Sequence, residues 1–347
     1  MKTKRRDQLY CGVNKDHITE AAPIVSKKNL KHLAKFVHDR YIVHLKKDVE
    51  GAPKPWTDNE VIQQFRFTNV RREHDKQSKY LIENISKNSS LTLEDKIVNT
   101  FLFRGWNNWS TMEFFGGPWR ARDIYSSCFK ECHRKAFVEE SKNNPKRLWY
   151  SNAYNQGGTK HAWKFPAGDD YQRVYKESEA KKYKDWEPDI PLRVFHLGPW
   201  LKQQDIINKL LNSKTQQEAF EVIKSVRGFS DFLAYQVFVD LTYINEFPFS
   251  ENEFVIAGPG CKKGLDYIFL DKNCLTYEEA IFWLRDNWDS LMHKVAPNLD
   301  VKELFTDLPK YDRVMNVMSL ENCMCELSKY IRAIEDTGRP RNKYKGV

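Results

Sequence analysis

The chain has 347 residues, with 56 basic and 47 acidic side chains, a net charge of +9, and 41% hydrophobic and 14% aromatic content. That is enough apolar material for a sizeable core, which excludes a disordered chain, and no run of about 18 apolar residues is present to cross a membrane. The basic excess points to an anionic partner, nucleic acid first, with a basic enzyme of a small substrate as the alternative.

The opening MKTKRRDQLYCG is basic and has no apolar stretch behind it, so it reads as an arm and not as a secretory signal. Seven cysteines, an odd number in a long chain, read as reduced thiols of a cytoplasmic protein. Over 29–46, Leu30, Leu33, Phe36 and Val37 share one face of a helix. Gly51-Ala-Pro-Lys-Pro55 ends it, and Thr57-Asp58 is expected to cap a helix over 60–64. Helices are expected at 75–85 and at 93–103, the second behind a capping-box pair, Thr92 and Asp95. A structured loop rich in Trp, Gly and Asn follows over 104–120, then a helix near 120–140. Asn143-Asn144-Pro145, Gly157-Gly158, Pro166, Gly168 and Pro188 punctuate 141–195, which reads as an irregular insertion with short strands or as a linker between helical lobes. Helical patterns return at 201–211, 216–226, 231–243, 277–288, 301–308 and 312–334. The expected fold is mainly α and two-lobed. The expected divisions are a basic arm and helix (1–55), a helical lobe (56–140), the insertion (141–195), a second helical lobe (196–335) and a basic tail (336–347).

Within the second lobe, Val226-Arg-Gly228-Phe-Ser230-Asp-Phe232-Leu-Ala234 has the form of a helix-hairpin-helix. Gly228 permits the turn, Ala234 permits a close crossing, and the N–H groups opening the second helix, from Ser230 onward, face a DNA phosphate. An ordinary αα-hairpin is the alternative. Base-excising enzymes with this hairpin carry a catalytic carboxylate further on, where Glu251 and Glu253 stand, and Asp240 inside the second helix is another candidate. Bifunctional members have Lys where this chain has Phe232, which cannot form a Schiff base. Ala257-Gly258-Pro-Gly260-Cys261-Lys262-Lys263-Gly264 suits close approach to an anion, with glycine clearing space and lysine supplying charge. It is not a Walker A loop, since G-x-x-x-x-G-K-[ST] occurs nowhere in the chain. On a helix, Arg71 with Asp75 and Arg72 with Lys76 would fall at i,i+4 spacing and form a solvated charged face. With Phe65, Phe67 and Asn69 ahead of them, they could instead read a base or a phosphate. Trp106, Asn107, Asn108 and Trp109, beside Arg104, suit stacking and hydrogen bonding to a base, or core packing with amide caps. Cys128-x-x-x-Cys132-His133 and Cys323-x-Cys325 make no four-ligand zinc spacing, so no metal and no cofactor are expected.

Four segments in this order, FRFTNVRREHDKQSKYLIENI, FLFRGWNNWSTME, GFSDFLAYQVFVDLTY and AGPGCKKGL, resemble the alpha-glutamyl/putrescinyl-thymine pyrophosphorylases of phage DNA hypermodification, over about residues 60–270. That family is similar to helix-hairpin-helix DNA glycosylases. The resemblance implies a mainly helical, glycosylase-like fold acting on a base flipped out of double-stranded DNA. It implies transfer of an amino acid or polyamine amine onto 5-hydroxymethyluracil that a separate DNA kinase has activated, with loss of (pyro)phosphate and evasion of restriction. Related bacterial members imply the alternative, excision of a modified pyrimidine in antiviral defence. A non-catalytic DNA-binding protein is the third reading. The motif positions carried over are Asn69, Arg72, Asp75, Arg104, Asn108, Asp240, Gly258, Gly260 and Lys263. Here Asp240, Glu253, Asp75 and Lys263 are the catalytic candidates. Asn69, Arg72, Arg104, Trp106, Asn108, Gly228, Ser230, Gly258, Gly260 and Lys262 are the candidates for substrate or DNA binding. The chain departs from the family at Arg71–His74, where the family has fewer charges, and at Cys261, where it has a smaller residue.

Overall fold

The structure, a computed structural model, describes residues 22–126, 128–151, 194–226, 228–299, 304–305, 308, 314–338, 340 and 343–344. A short strand, β1 (Ile24–Val25), leads into α1 (Lys27–His44), which starts where Ser26 Oγ accepts the Asn29 N–H at 3.3 Å. Leu30, Leu33, Phe36 and Val37 are all buried, as their spacing requires. A π-helical turn (Leu45–Val49) prolongs α1, and the chain then breaks at Gly51, whose φ of +66° suits glycine.

The helix after the Pro-rich break is α2 (Glu60–Gln64), and its cap differs from the expected one. Asn59 Oδ1 accepts the Ile62 N–H (3.3 Å), while Thr57 Oγ1 accepts the Asn59 N–H (3.2 Å) and so shapes the approach to the cap. Beyond it lies one 3₁₀ turn (Arg72–His74), then α3 (Lys76–Leu81), closed by a π turn (Ile82–Ser86). The continuous helix that would put Arg71 and Asp75, and Arg72 and Lys76, at i,i+4 on one face does not form. Both Arg71 and Asp75 have extended backbone, and Arg71 Nη2 instead meets Glu73 Oε1 at 2.6 Å.

The capping box is present: the Thr92 N–H donates to Asp95 Oδ2 (2.9 Å), and the Asp95 N–H donates to Thr92 Oγ1 (3.2 Å). It opens α4 (Leu93–Trp106), a helix buried from Asp95 to Trp106. Each large apolar side chain it buries, among them Ile97, Phe101 and Leu102, contributes about 1.5–3 kcal/mol. The 104–120 stretch is more helical than expected. It contains the end of α4 and α5 (Trp109–Phe114), before α6 (Ala121–Ile124) and α7 (Phe129–Asn143). Most of the insertion read at 141–195 lies outside the described residues.

The helix expected over 201–211 is two, α8 (Leu197–Gln203) and α9 (Ile206–Leu211), because Asp205 takes a left-handed φ of +54° between them. Then come α10 (Gln216–Lys224), α11 (Asp231–Leu241), α12 (Pro259–Ile268), β2 (Phe269–Asp271), α13 (Tyr277–Asp286), α14 (Trp288–Val295) and α15 (Val317–Ile334). Of the helix expected over 301–308, only residues 304, 305 and 308 are described. β1 pairs antiparallel with β2, Ile24 opposite Asp271 and Val25 opposite Phe269. The fold is therefore mainly helical with a two-stranded sheet, and that sheet joins the N-terminal segment to the last third of the chain. α1 likewise packs on α12, α14 and α15, while α4 packs on α8, α9 and α11. The tightest crossing is α12 on α15, where a Cβ on Gly264 would stand 2.1 Å from the Met324 carbonyl oxygen. No described helix is long and apolar enough to cross a membrane.

Candidate functional site

Three segments far apart in sequence meet at one carboxylate. Asp240, fully buried on α11, accepts from Arg72 Nη2 (2.9 Å) and from Arg104 Nη2 (2.8 Å), both on Oδ1, and from Arg104 Nε on Oδ2. Arg104 comes from the last turn of α4, and Arg72 from the 3₁₀ turn before α3. Arg72 also donates through Nη1 to Gln236 Oε1, one turn before Asp240 on the same face of α11. Arg104 reaches Asn107 Oδ1, and Asn107 Nδ2 donates to Ser151 Oγ at 2.8 Å. Removing one partner of such a buried pair strands an uncompensated charge, at a cost of about 3–5 kcal/mol.

Two more acids surround Arg72. Glu251 Oε1 accepts from Asn316 Nδ2 at 2.5 Å. Its Oε2 is buried, as is the Tyr243 hydroxyl that interacts with this carboxyl. Burial, reinforced by the Glu73 carboxylate, pushes Glu251 up to about 7, against the pull of Arg71, Tyr243 and Arg72. Glu321 on α15 accepts from Cys325 Sγ at 3.5 Å, and burial lifts it to about 7 as well, with Cys325, the Gly258 N–H and Arg72 opposing the rise. Tyr235 and Tyr243 are held well above the usual phenol range by burial and by these carboxylates. Arg71, Arg72 and Arg104 therefore face Glu73, Asp240, Glu251 and Glu321. The group is one positive charge short, and a proton on Glu251 or Glu321 supplies it at neutral pH. Carboxyls that exchange a proton near neutrality are the chemistry of general acid–base catalysis.

The Gly258-Pro-Gly260 segment is a helix start and not a free turn. Gly258 is the N-cap of α12 and Pro259 its first residue. The N-terminal N–H groups here face protein carboxylates: Ala257 N–H donates to Glu278 Oε1 at 2.9 Å, and Gly258 N–H faces Glu321. These acids stand where a phosphate was expected. A Cβ on Gly260 would lie 3.1 Å from Cys325 Sγ, a tight contact that glycine avoids, whereas one on Gly258 would meet Glu321 Oε1 at an ordinary 3.5 Å. Lys262 and Lys263 lie exposed on the first turns of α12, with Lys262 Nζ 5.4 Å from the Tyr277 ring centre.

The other expected site residues separate into two groups. Gly228 takes φ +89° in the turn between α10 and α11, and Ser230 is the N-cap of α11 without a side-chain cap bond. α10 and α11 pack on each other across that turn, a helical hairpin that suits the helix-hairpin-helix and the ordinary αα-hairpin alike. The remainder serve local structure. Asn69 Oδ1 accepts from Arg40 Nη2 (2.5 Å), and its Nδ2 donates to the His74 carbonyl (2.7 Å). Asp75 caps α3, accepting the Gln77 and Ser78 N–H groups (2.9 and 3.3 Å). Asn108 caps α5 through the Ser110 N–H (3.2 Å). Trp106 is fully buried against Phe115 and Phe195, so no base can stack on it. Glu253 lies exposed, bonded to Gln216 Nε2 at 2.8 Å, away from the buried acids. The sequence reading missed Glu321, Gln236, Tyr235 and Tyr243. Glu321 had a signal: it lies on the apolar stripe formed by Val317, Leu320, Met324 and Ile331, a place where an acid needs a reason.

A helical body built around a buried Arg–Asp–Arg core and neutral-range carboxyls has a family match. Residues 27–339 match the family described as the helical domain of 5-hmdU DNA kinase, and the chain belongs to that family. Among curated proteins it is similar to the 5-hmdU DNA kinase of Bacillus phage SP10, 22% identical over 303 residues, which cover 84% of this chain and 43% of that protein. The chain thus spans less than half the length of that relative. No solved structure matches it. Such a kinase was expected upstream as a separate partner, whereas the family of this chain itself carries the kinase name.

Proposed function

We propose that this chain receives a 5-hydroxymethylated pyrimidine from double-stranded DNA and takes part in chemistry at its exocyclic hydroxymethyl group. The observation that carries this reading is the junction at Asp240. It ties the hairpin helix α11 to Arg72 and Arg104 and sets Glu251 and Glu321 beside them. The hairpin turn at Gly228 and the exposed lysines of α12 hold the DNA backbone, which makes binding salt-dependent. The cationic side of the cluster stabilises a phosphoryl group. A carboxyl near neutrality takes the proton of the attacking group.

The first form of the reaction is amine transfer, following the resemblance of the four motifs. An amino acid or polyamine nitrogen bonds to the methylene carbon, the carbon–oxygen bond to (pyro)phosphate breaks, and Glu251 or Glu321 accepts the amine proton. The second form is phosphorylation of the hydroxymethyl oxygen, which the family description favours. In that form the carboxyl removes the hydroxyl proton, the oxygen bonds to the γ-phosphorus of ATP, and the bond to ADP breaks; this chain itself carries no Walker A sequence.

The test is mass spectrometry of nucleosides after incubating the chain with defined DNA. One arm holds 5-hydroxymethyluracil DNA with ATP, and the other holds its phosphorylated form with amino acids and polyamines. A phosphorylated nucleoside establishes the second form, and an aminated nucleoside with loss of phosphate establishes the first. Free base with abasic sites refutes both and makes the protein a glycosylase. Equal affinity for modified and unmodified DNA with no product refutes recognition of the modified base.

A further inference from the structure

Beyond the exposed Asp231 that opens it, α11 is buried except at two positions that fall on one face. Phe232 is 59% exposed, among the most exposed large apolar side chains described. Gln236, one turn on, is half-buried, while the rest of the helix from Leu233 to Leu241 is buried. Residues four apart on a helix are neighbours. The outward face of α11 is therefore an aromatic ring beside a carboxamide, in front of Arg72.

The carboxamide cannot turn over. Arg72 Nη1 donates to Gln236 Oε1, and a guanidinium has only donors, so the oxygen must face Arg72. Arg72 is itself fixed by its second bond, Nη2 to Asp240. What Gln236 has left to offer a ligand is Nε2–H, a donor. An exposed ring with a fixed donor beside it matches a pyrimidine that presents a carbonyl at C4. Uracil and thymine bases have that carbonyl, whereas cytosine bases present an amino donor there, which would meet the Gln236 donor head-on.

We infer that Phe232 is the stacking platform for the extruded base, and that Gln236, locked by Arg72, selects uracil-type over cytosine-type pyrimidines. The inference rests on the proposed function and names the specificity element of that same site. Stacking on an aromatic side chain holds a base out of the duplex, and the amide then reads its edge.

The experiment measures binding, by fluorescence anisotropy, to two duplexes that differ only in one base, 5-hydroxymethyluracil or 5-hydroxymethylcytosine. The wild type is expected to prefer the uracil form by about tenfold, the worth of one good edge contact. Gln236→Ala is expected to bring the ratio close to one. Gln236→Glu turns the free group into an acceptor and is expected to shift preference toward cytosine, a change that a merely structural glutamine would not produce. Phe232→Ala is expected to weaken both duplexes about tenfold at an unchanged ratio and melting temperature, with Phe232→Tyr restoring them. A wild type that binds without discrimination, a ratio untouched in both Gln236 variants, or full affinity in Phe232→Ala overturns this inference while leaving the proposed function standing. A wild type that binds neither duplex overturns the proposed function itself.

Discussion

Replacing Asp240 by asparagine keeps the shape of the junction and removes its one negative charge. Arg72 and Arg104 then remain buried, 9% and 3% exposed, facing each other without the carboxylate between them. Breaking a buried pair in this way costs about 3–5 kcal/mol. Folding entropy of about 2.1 cal/mol/K per residue gives a domain of about 300 residues an unfolding entropy near 0.6 kcal/mol/K. Asp240→Asn is therefore expected to lower the melting temperature by about 5–8 °C in a calorimetric scan. Pairing it with Arg104→Gln tests the cause. The double variant should lose less than the two single losses added, by about 1.5 kcal/mol or more, because the second change removes a charge the first had stranded. Full additivity, or a shift under about 2 °C for Asp240→Asn, would refute the claim that this carboxylate holds the three segments together.

Three further outcomes are expected. Glu251 and Glu321 move from the ordinary 4.5 to about 7 on folding. The native chain then binds more protons than the unfolded one across that window, so this contribution is full below pH 4.5 and is lost as pH rises through 7. His74, lowered to about 3 chiefly by burial, acts in the opposite sense, losing stability as pH falls below 6.5. The clean readout is hence the difference between wild type and Glu321→Gln in urea unfolding, where the variant should gain relative stability from pH 5 to pH 8. A constant difference would contradict the raised acid. Gly264→Ala should cost about 3 kcal/mol, because its methyl meets the Met324 backbone oxygen and α12 must move off α15; a denaturation midpoint within error of wild type would show that the crossing yields. Lys262→Ala with Lys263→Ala should leave stability within about 0.5 kcal/mol and reduce the salt slope of DNA binding by up to about 2. An unchanged slope would remove these lysines from the DNA surface.

The local grammar of this chain was legible from its residues. Leu30, Leu33, Phe36 and Val37 announce α1, the Thr92 and Asp95 pair announces α4, and Gly228 marks the hairpin. Each depends on neighbours in sequence. The interruptions were harder, since nothing within a few residues of Asp205 dictates its left-handed backbone, and Asn59 outcompetes Thr57-Asp58 as a cap only through the geometry of the approach. The site was half legible. Asp240, Arg72 and Arg104 were all named, yet as separate residues with separate duties, because their meeting depends on segments 32 and 136 positions apart. Trp106 and Asn108 looked like base readers because an aromatic with an amide serves a core or a cap equally well. Glu253 drew attention that belonged to its neighbour Glu251, since two acids two residues apart cannot be told apart until the loop's direction is known.

The close crossing at Gly264 bears on how this protein can change. Met324, whose backbone excludes any side chain at Gly264, and Glu321, one of the two raised acids of the cluster, lie three residues apart on α15. A helix moves as a rod over that length. Drift in the packing of α12 would therefore retune the acid, and drift in the acid's surroundings would be felt at the crossing. Selection for fit and selection for reactivity act here on the same object, so substitutions on the two helices are expected to arise in compensating pairs.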